Sequence, residues 1–260
     1  MSTAVSRHMR HDLWKPYRIP VHLAWRDHRQ RFVQSPIGSL WSTIAVALTS
    51  LILGLVWGTI FGIDVRQHLP FTSSGVVAWG LVSGSLIEAP THFVSGKGLL
   101  LNSATIGHAD VTRHLVAKHV INFLFALPVP LLLSLATGHL TFSVILLPIA
   151  ILLTITTLYP FCSLLGLAGI HLRDLEYFFP SLFTLFFLVT PIFFQPSQLG
   201  RFEWATSLNP FYWVVDTIRR PLFGQMLTLS HFCALFVIIL LGFSVNFLVR
   251  KTYKNIKIYL

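Results

Sequence analysis

Long apolar runs separated by clusters of charged residues form the dominant pattern of this sequence. Five stretches contain no Asp, Glu, Lys or Arg: residues 32–63, 67–87, 119–172, 177–200 and 221–249. A helix crosses the hydrocarbon core of a membrane in about 20 residues, so four of these stretches each fit one span. The stretch 119–172 is long enough for two spans and is interrupted by Thr137-Gly138-His139, which predicts a tight turn. The pattern therefore predicts six transmembrane helices, at about residues 39–63, 72–94, 115–136, 142–168, 176–195 and 227–249.

Residues 20–34 differ from the spans because apolar and charged side chains alternate there. On a helix, Val21, Trp25 and His28 would lie near one face, with Arg26 and Arg29 near the other. This arrangement is typical of an amphipathic helix in the membrane interface. Such a helix would either anchor the chain or dock a cytoplasmic partner. We therefore expect a cytoplasmic tail with an interfacial helix over residues 1–37 and a six-helix transmembrane domain over 38–260.

The segment 194–228, before the last predicted span, is too rich in aromatic residues to extend freely into water. It contains Phe202, Trp204 and Trp213, and three prolines interrupt it. Backbone at membrane depth must have its polar groups satisfied within the protein. We expect a re-entrant segment of two short helices that dip into the outer leaflet.

Composition agrees with an integral membrane protein. Of 260 residues, 54% are hydrophobic and 11% are charged, against roughly 25% charged in soluble domains. A soluble fold of this length has too little interior for so much apolar surface. These figures exclude a soluble enzyme, a disordered chain and a disulfide-stapled secreted module.

The basic residues predict the orientation of the chain. Of the 19 Lys and Arg residues, 15 lie in the N-terminal tail, the second and fourth connections and the C-terminal tail, and 4 lie on the other side. Because cytoplasmic loops carry the excess of Lys and Arg, both termini are predicted to be cytoplasmic. The formal charge of +10 also favours contact with anionic lipids. It does not indicate nucleic-acid binding, because the basic residues are divided among four segments.

Motifs for ATP hydrolysis or metal binding are not found in the sequence. The single Gly-Lys pair, Gly96-Lys97, is followed by Gly98 rather than Ser or Thr, so there is no P-loop. The 12 histidines show no His-Glu-x-x-His pattern, and the spacing of His108, His114 and His119 does not place them on one helical face. We expect no metal site, no cofactor and no catalytic residues in this chain.

Two features of the spans are candidates for transport chemistry. Glu88 is an ionisable residue in the second predicted span, two residues before Pro90. It is either part of a gate or marks the point where the span ends at the headgroups. In the fifth span, a helix would bring four aromatic rings to one face, either for packing or as flat platforms along a conduit for sugars. The candidate conduit residues are Phe179, Phe183, Phe186 and Phe187, with Trp41 near the start of the first span.

The run 164–224 resembles the permeases of the ABC-2 type transporter family, in particular those that export O-antigen, capsular polysaccharide and teichoic acid. The matching features are Arg173-Asp174, Thr190-Pro191-Ile192, Asn209-Pro210, and Arg219 before Leu222-Phe223-Gly224. Residues 23–38 also look like the interfacial helix of that family, with Arg26-Asp27 and Ser35-x-x-Gly38. The likeness extends over nearly the whole chain and is weakest in the second span and the loop after it.

The resemblance implies a homodimer of permeases in the bacterial inner membrane, with two cytoplasmic ABC ATPase subunits that hold ATP and Mg²⁺. A lipid-linked glycan would enter a conduit between the permeases. The residues implied in coupling to the ATPase are Trp25, Arg26, Asp27, Arg29, Leu100, Arg173 and Asp174. The gate candidates are Glu88, from its position within a span, and the motif residues Thr190, Pro191, Asn209, Pro210 and Arg219.

Other functions stay open from the sequence alone. O-antigen is the favoured cargo, with capsular polysaccharide, teichoic acid or small hydrophobic compounds as alternatives within the family. A membrane enzyme that acts on lipid-linked sugars is a remote alternative, because no pair of reactive acids is apparent near one membrane face.

Overall fold

A computed structural model describes residues 18–31, 33, 35, 37–38, 40–95 and 107–252, and these residues form an all-helical structure. The helices are α1 (Arg18–Arg31), α2 (Leu40–Phe61), α3 (Val65–Ser95), α4 (His108–Ala126), α5 (Pro128–Ala136), α6 (Leu147–His171), α7 (Leu175–Val189), α8 (Trp204–Ser207), α9 (Pro210–Leu222) and α10 (Leu229–Thr252), with 3-10 turns at Phe142–Leu146 and Pro196–Phe202.

Within the described residues, five helical segments are long and apolar enough to cross a membrane. They are Leu40–Phe61, Val65–Ser95, His108–Ala136, Phe142–His171 and Leu229–Val249. The fifth predicted span, 176–195, corresponds to the shorter α7 of 15 residues. This helix ends at Val189 because Pro191 disfavours helical backbone at Thr190, whose φ and ψ are −82° and 133°.

The second span is longer than its predicted range of 72–94. Helix α3 begins at Val65, before Pro70, and continues through Glu88 and Pro90 to Ser95. Glu88 therefore lies inside a continuous helix rather than at its end. Most of this helix is buried, and it packs against α2, α4, α6 and α9. Because the other long helices bury a much smaller share of their residues, α3 forms the centre of the bundle.

The predicted turn at Thr137-Gly138-His139 is present. Gly138 has a φ of +75°, a conformation that glycine adopts without strain. The third span bends at Leu127, between α4 and α5, where Pro128 begins the next helical segment. Helices α5 and α6 thus run in opposite directions, as the interruption of the longest apolar stretch indicates.

Two glycines let α6 approach the end of α3 closely. A Cβ atom on Gly169 would lie 2.5 Å from the Cα atom of Pro90, and one on Gly166 would overlap the ring of Phe93. The backbones of the two helices therefore meet directly at the end of the bundle that carries α1. We call this the α1 end; the other end carries residues 62–64, 137–141 and 190–228.

Exposed large apolar side chains are concentrated on α2, α7 and α10. Examples are Ile52, Leu188 and Phe236, each more than half exposed in the single chain. Cys162 is a buried free thiol, whereas Cys233 on α10 is exposed. Surfaces of this kind suit contact with lipid or with another membrane helix.

Candidate functional site

A polar cluster surrounds Glu88 at the α1 end of the bundle. Lys118 of α4 donates a hydrogen bond to Oε1 of Glu88, and Nε2 of His119 donates to Oε2 at 2.9 Å. Nδ1 of His92, one turn further along α3, lies 3.4 Å from Oε1. Three basic groups therefore compensate the carboxylate, which explains how an acidic residue is accommodated within α3.

The same cluster continues to the amphipathic helix. Nε2 of His92 lies 3.0 Å from Nδ1 of His114 on α4. Nε2 of His114 lies 3.1 Å from Oδ2 of Asp27 on α1, within ion-pair distance. Side chains from three helices thus form one row from Asp27 to Glu88.

Helix α1 is anchored on α4 by the side that carries Ala24 and His28, which are buried. Val21 and Trp25, which the sequence places on the apolar face for the membrane interface, are exposed in the single chain. The His28 ring stacks on Phe125 with centroids 4.5 Å apart, and its Nδ1 donates to the Asn122 amide oxygen at 3.1 Å. These partners of His28 belong to α4 and lie outside residues 20–34, so the periodicity of that segment does not contain them.

At the opposite end, Arg219 is the largest fully buried side chain of the described residues, with 2% of its surface exposed. Its Nη2 donates to the carbonyl of Pro191 at 2.6 Å, and its guanidinium lies 4.1 Å from the centroid of the Phe71 ring. Its Nη1 is 3.7 Å from Oδ1 of Asp216. A buried guanidinium thereby joins α9, α3 and the segment after α7.

Asp216 balances the positive charge of this region. Its Oδ2 accepts hydrogen bonds from Nε of Arg220 at 2.8 Å and from Nε2 of His231 at 2.9 Å. Burial alone would raise the pKa of Asp216, but the hydrogen bond from His231 and the charges of Arg219 and Arg220 outweigh it. The pKa is therefore lowered from its ordinary value, and the side chain is a carboxylate at neutral pH.

Asn209 connects the start of α9 to the end of α7. Its side-chain oxygen accepts a hydrogen bond from the Phe211 backbone N–H at 2.9 Å, which caps α9, and Pro210 occupies the first turn. Its amide nitrogen donates to Oγ1 of the buried Thr190 at 3.0 Å. Four of the predicted gate residues, Thr190, Pro191, Asn209 and Arg219, therefore lie in one connected group, while Glu88 belongs to the cluster at the other end.

The aromatic face of α7 points into the bundle. Phe183 is 3% exposed and packs near Trp79 and Phe211, with centroids 6.0 and 5.6 Å away. A cavity of about 260 Å³ lies beside it, bounded by apolar side chains of α3, α6, α7, α9 and α10. Phe179 and Phe186 also line this cavity, and Phe187 contacts Phe193 instead. The rings are thus in place to pack within one chain or to border an apolar space inside it.

The remaining predicted residues lie apart from these groups. Trp41 is 51% exposed on α2. Arg26 and Arg29 are exposed on α1, and Arg173 and Asp174 are exposed at the turn between α6 and α7. Leu100 lies outside the described residues. Among the residues that the structure describes, no three His, Cys, Asp or Glu side chains are arranged to hold a metal ion.

Sequence reasoning missed His92, His114 and Asp216 as site residues. A local signal existed for two of them, since His92 follows Glu88 by four positions and Asp216 precedes Arg219 and Arg220 by three and four. On a helix these spacings place side chains next to each other. His114 had no such signal, because its partners Asp27 and His92 are far away along the chain.

A family model and two relatives that match this chain all belong to transport systems. The profile of a family described as ABC-2 type transporter matches residues 21–223. The chain is 26% identical over 184 residues to a protein of Myxococcus xanthus named O-antigen export system permease protein RfbA, covering 69% of each chain. It is 19% identical over 236 residues to a Klebsiella pneumoniae protein of the same name, covering 90% of this chain and 91% of the relative.

Proposed function

The chain belongs to the ABC-2 type transporter family, and from this premise we propose that it is the permease subunit of an ATP-driven exporter that moves a lipid-linked polysaccharide across the inner membrane. Family membership confirms the resemblance drawn from residues 164–224 and from the interfacial helix. O-antigen is the favoured cargo, because both relatives carry the name of an O-antigen export permease. The observation that carries the proposal is that one of them matches over 90% of this chain.

The membrane topology that goes with this function has six spans. We propose that α7 is the fifth, shortened because the segment from Thr190 to Pro196 returns the chain into the bundle. The 3-10 turn, α8 and α9 then form the re-entrant segment, with Arg219 and Asp216 satisfied inside the protein. Both termini are cytoplasmic, which puts α1, Arg26, Arg29 and the Arg173-Asp174 turn on the side of the motor.

The motor is a separate protein in this proposal. Two cytoplasmic ABC ATPase subunits bind ATP and Mg²⁺, and two copies of this chain form the transmembrane part. The exposed Arg26 and Arg29 of α1 offer a basic surface to such a partner, while the buried face of α1 is fixed on α4. Movement of the partner would therefore be passed to the bundle through α1. This chain itself performs no catalysis.

Purification of the tagged chain from its native membrane tests whether a separate ATPase subunit binds it. We expect an ATPase subunit with a P-loop to co-purify, and the chain alone to hydrolyse no ATP. The double variant R26E/R29E should insert normally and lose export, with R31E as a matched charge reversal on the same helix. Export-competent activity without any nucleotide-binding partner would contradict the proposal.

Deletion of the chain identifies the cargo. We expect a lipid-linked glycan to accumulate in the cytoplasm, and its composition separates O-antigen from capsular polysaccharide and teichoic acid. Accumulation of no glycan, together with increased sensitivity to small hydrophobic compounds, would favour the alternative cargo of the family. Replacement of Phe183 or Phe186 by Ala tests the predicted conduit role, since a normal glycan length profile would assign these rings to packing alone.

A further inference from the structure

The apolar cavity beside Phe183 has no ligand in the proposed function, and the chemistry of its walls defines what can bind there. Its volume is about 260 Å³, and its lining is apolar. Of the described residues that line it, only Thr157 has a polar side chain. The Thr157 hydroxyl donates to the carbonyl of Leu153 on the same helix at 2.8 Å. The cavity therefore offers a polar ligand almost no hydrogen-bond partner.

A sugar ring is poorly matched to these walls. Each sugar hydroxyl that entered the cavity would lose its hydrogen bonds to water and gain none from the protein, which is unfavourable. An apolar cavity of about 150 Å³ stays free of water and binds benzene, so the larger cavity of this chain has room for a length of hydrocarbon. The walls therefore favour a hydrocarbon ligand over a carbohydrate or water.

The cavity is elongated in the direction of the helices. On α7 its lining residues extend from Phe179 to Phe186, a rise of about 10 Å. On α6 they extend from Thr157 to Leu165, a rise of about 12 Å. Membrane-spanning helices are tilted by roughly 20° on average from the bilayer normal. The long direction of the cavity therefore runs close to the direction of the lipid tails in the surrounding bilayer.

The cavity lies at a gap between helices of the bundle surface and is only partly enclosed. Within the described residues, α7 packs closely against α3 but is not closely packed against α6 or α10. Leu185 on α7 and Leu241 on α10 continue the exposed apolar surface of these two helices. Because this surface suits contact with lipid, a lipid tail can reach the cavity from the side without crossing a polar layer.

We propose that this cavity binds the hydrocarbon tail of a lipid, between the Phe179 and Phe183 rings of α7 and the aliphatic side chains of Leu86 and Leu158. A tail in this position supplies van der Waals contacts to side chains that otherwise lack them on one side. Two sources of the tail share this chemistry, a bilayer phospholipid and the lipid anchor of the exported glycan. The second source rests on the proposed function, whereas the first does not.

Photo-crosslinking of the full chain in nanodiscs tests the site. The probe is a phospholipid with a diazirine group in one acyl chain, and mass spectrometry of peptides locates the labelled residues. Leu158, Phe183 and Val214 line the cavity and are 2%, 3% and 4% exposed, so lipid outside the bundle cannot reach them. We expect label on these three residues as well as on the exposed Leu241. The walls carry no group that would recognise a headgroup, so label on Leu241 alone would overturn the proposal.

A variant with a smaller cavity provides the matched comparison. L158F places a larger ring in the wall of the cavity, whereas L152F makes the same change on the same helix at a position that is 64% exposed and outside the cavity. We expect L158F to reduce the labelling of Phe183 several-fold and L152F to leave it unchanged. Equal labelling in the two variants would refute the proposal. If L158F does not insert, I238F serves instead, because Ile238 lines the cavity at a half-buried position.

Competition distinguishes the two sources of the tail. Lipid-linked glycan from the strain that lacks this chain is added to the nanodiscs in increasing amounts. A several-fold fall in the labelling of Phe183 relative to Leu241 would assign the cavity to the anchor of the glycan, and an unchanged ratio would assign it to bilayer lipid. If the deletion accumulates no lipid-linked glycan, the proposed function fails, whereas the labelling of the buried residues would still support the lipid site.

Discussion

Two glycines of α3 that receive the same substitution should respond with opposite signs. A Cβ atom at Gly75 would lie 2.6 Å from Nη2 of Arg219 and 2.7 Å from the carbonyl oxygen of Ile192. A Cβ atom at Gly80, five residues along the same helix, meets no atom of the described residues within 4 Å. We therefore expect G75A to displace the guanidinium from Pro191 and G80A to be accommodated.

The expected change in the free energy of unfolding combines a favourable effect on helix propensity with the loss of a hydrogen bond. Alanine is favoured over glycine in a helix by about 1 kcal/mol, and this gain is common to both variants. At Gly75 the hydrogen bond from Arg219 to the Pro191 carbonyl is weakened or lost, which costs about 1.5–3 kcal/mol for a charged donor. The difference between the variants is therefore about 1.5–3 kcal/mol. For a chain of this size it corresponds to about 3–12 °C in the unfolding midpoint.

Thermal unfolding in nanodiscs measures this difference, with tryptophan fluorescence as the signal. We expect the midpoint of G80A at or above that of the wild type and the midpoint of G75A below it. Glycan export should fall for G75A and be retained for G80A. Equal midpoints for the two variants, or a G75A midpoint above the wild type, would refute the reasoning that Arg219 is tightly enclosed.

Substitutions at three further positions test other contacts of the structure. N209A should reduce the unfolding free energy by about 0.5–2 kcal/mol through loss of the cap, whereas N209D should keep the cap and lose only the donor to Thr190; equal midpoints would contradict this separation. D216N should cost about 3–5 kcal/mol because Arg219 loses its counter-charge. Since the pKa of Asp216 is lowered, its contribution is complete above its ordinary range and is lost as the pH falls through the lowered value, so the wild type should lose more stability on acidification than D216N. F183A should enlarge the neighbouring cavity and cost about 3–5 kcal/mol, and a midpoint shift below 2 °C would show that the site collapses instead.

The positions of most spans could be predicted because a helix that crosses lipid must be apolar over about 20 residues. The stretches without charged residues indicated where these helices lie, and Gly138 indicated the turn between α5 and α6. The sequence Asn209-Pro210 is a local signal for a helix start, and α9 begins there. These features depend on neighbouring residues only, so a single sequence contains them.

Contacts between distant residues could not be predicted in the same way. The sequence left open whether Glu88 marks the end of a span; Lys118 and His119, about 30 positions later, compensate the carboxylate and let α3 continue. The packing of α1 on Asn122 and Phe125 of α4 could not be predicted from residues 20–34, because both partners lie outside that segment. Charge pairing and stacking across helices decide such features, and they require the packing itself.

The central helix α3 touches both polar groups of the bundle. Gly75 lies against Arg219 near one end, and Glu88 lies in the histidine cluster near the other. At a rise of 1.5 Å per residue, these positions are separated by about 20 Å along one uninterrupted rod. A continuous helix can move as one body, so a displacement at one end of α3 reaches the other end without rearrangement of the side chains between them. A shift of α3 along its own axis would lengthen the hydrogen bonds of Glu88 and would at the same time change the space available to the guanidinium at the other end of the helix.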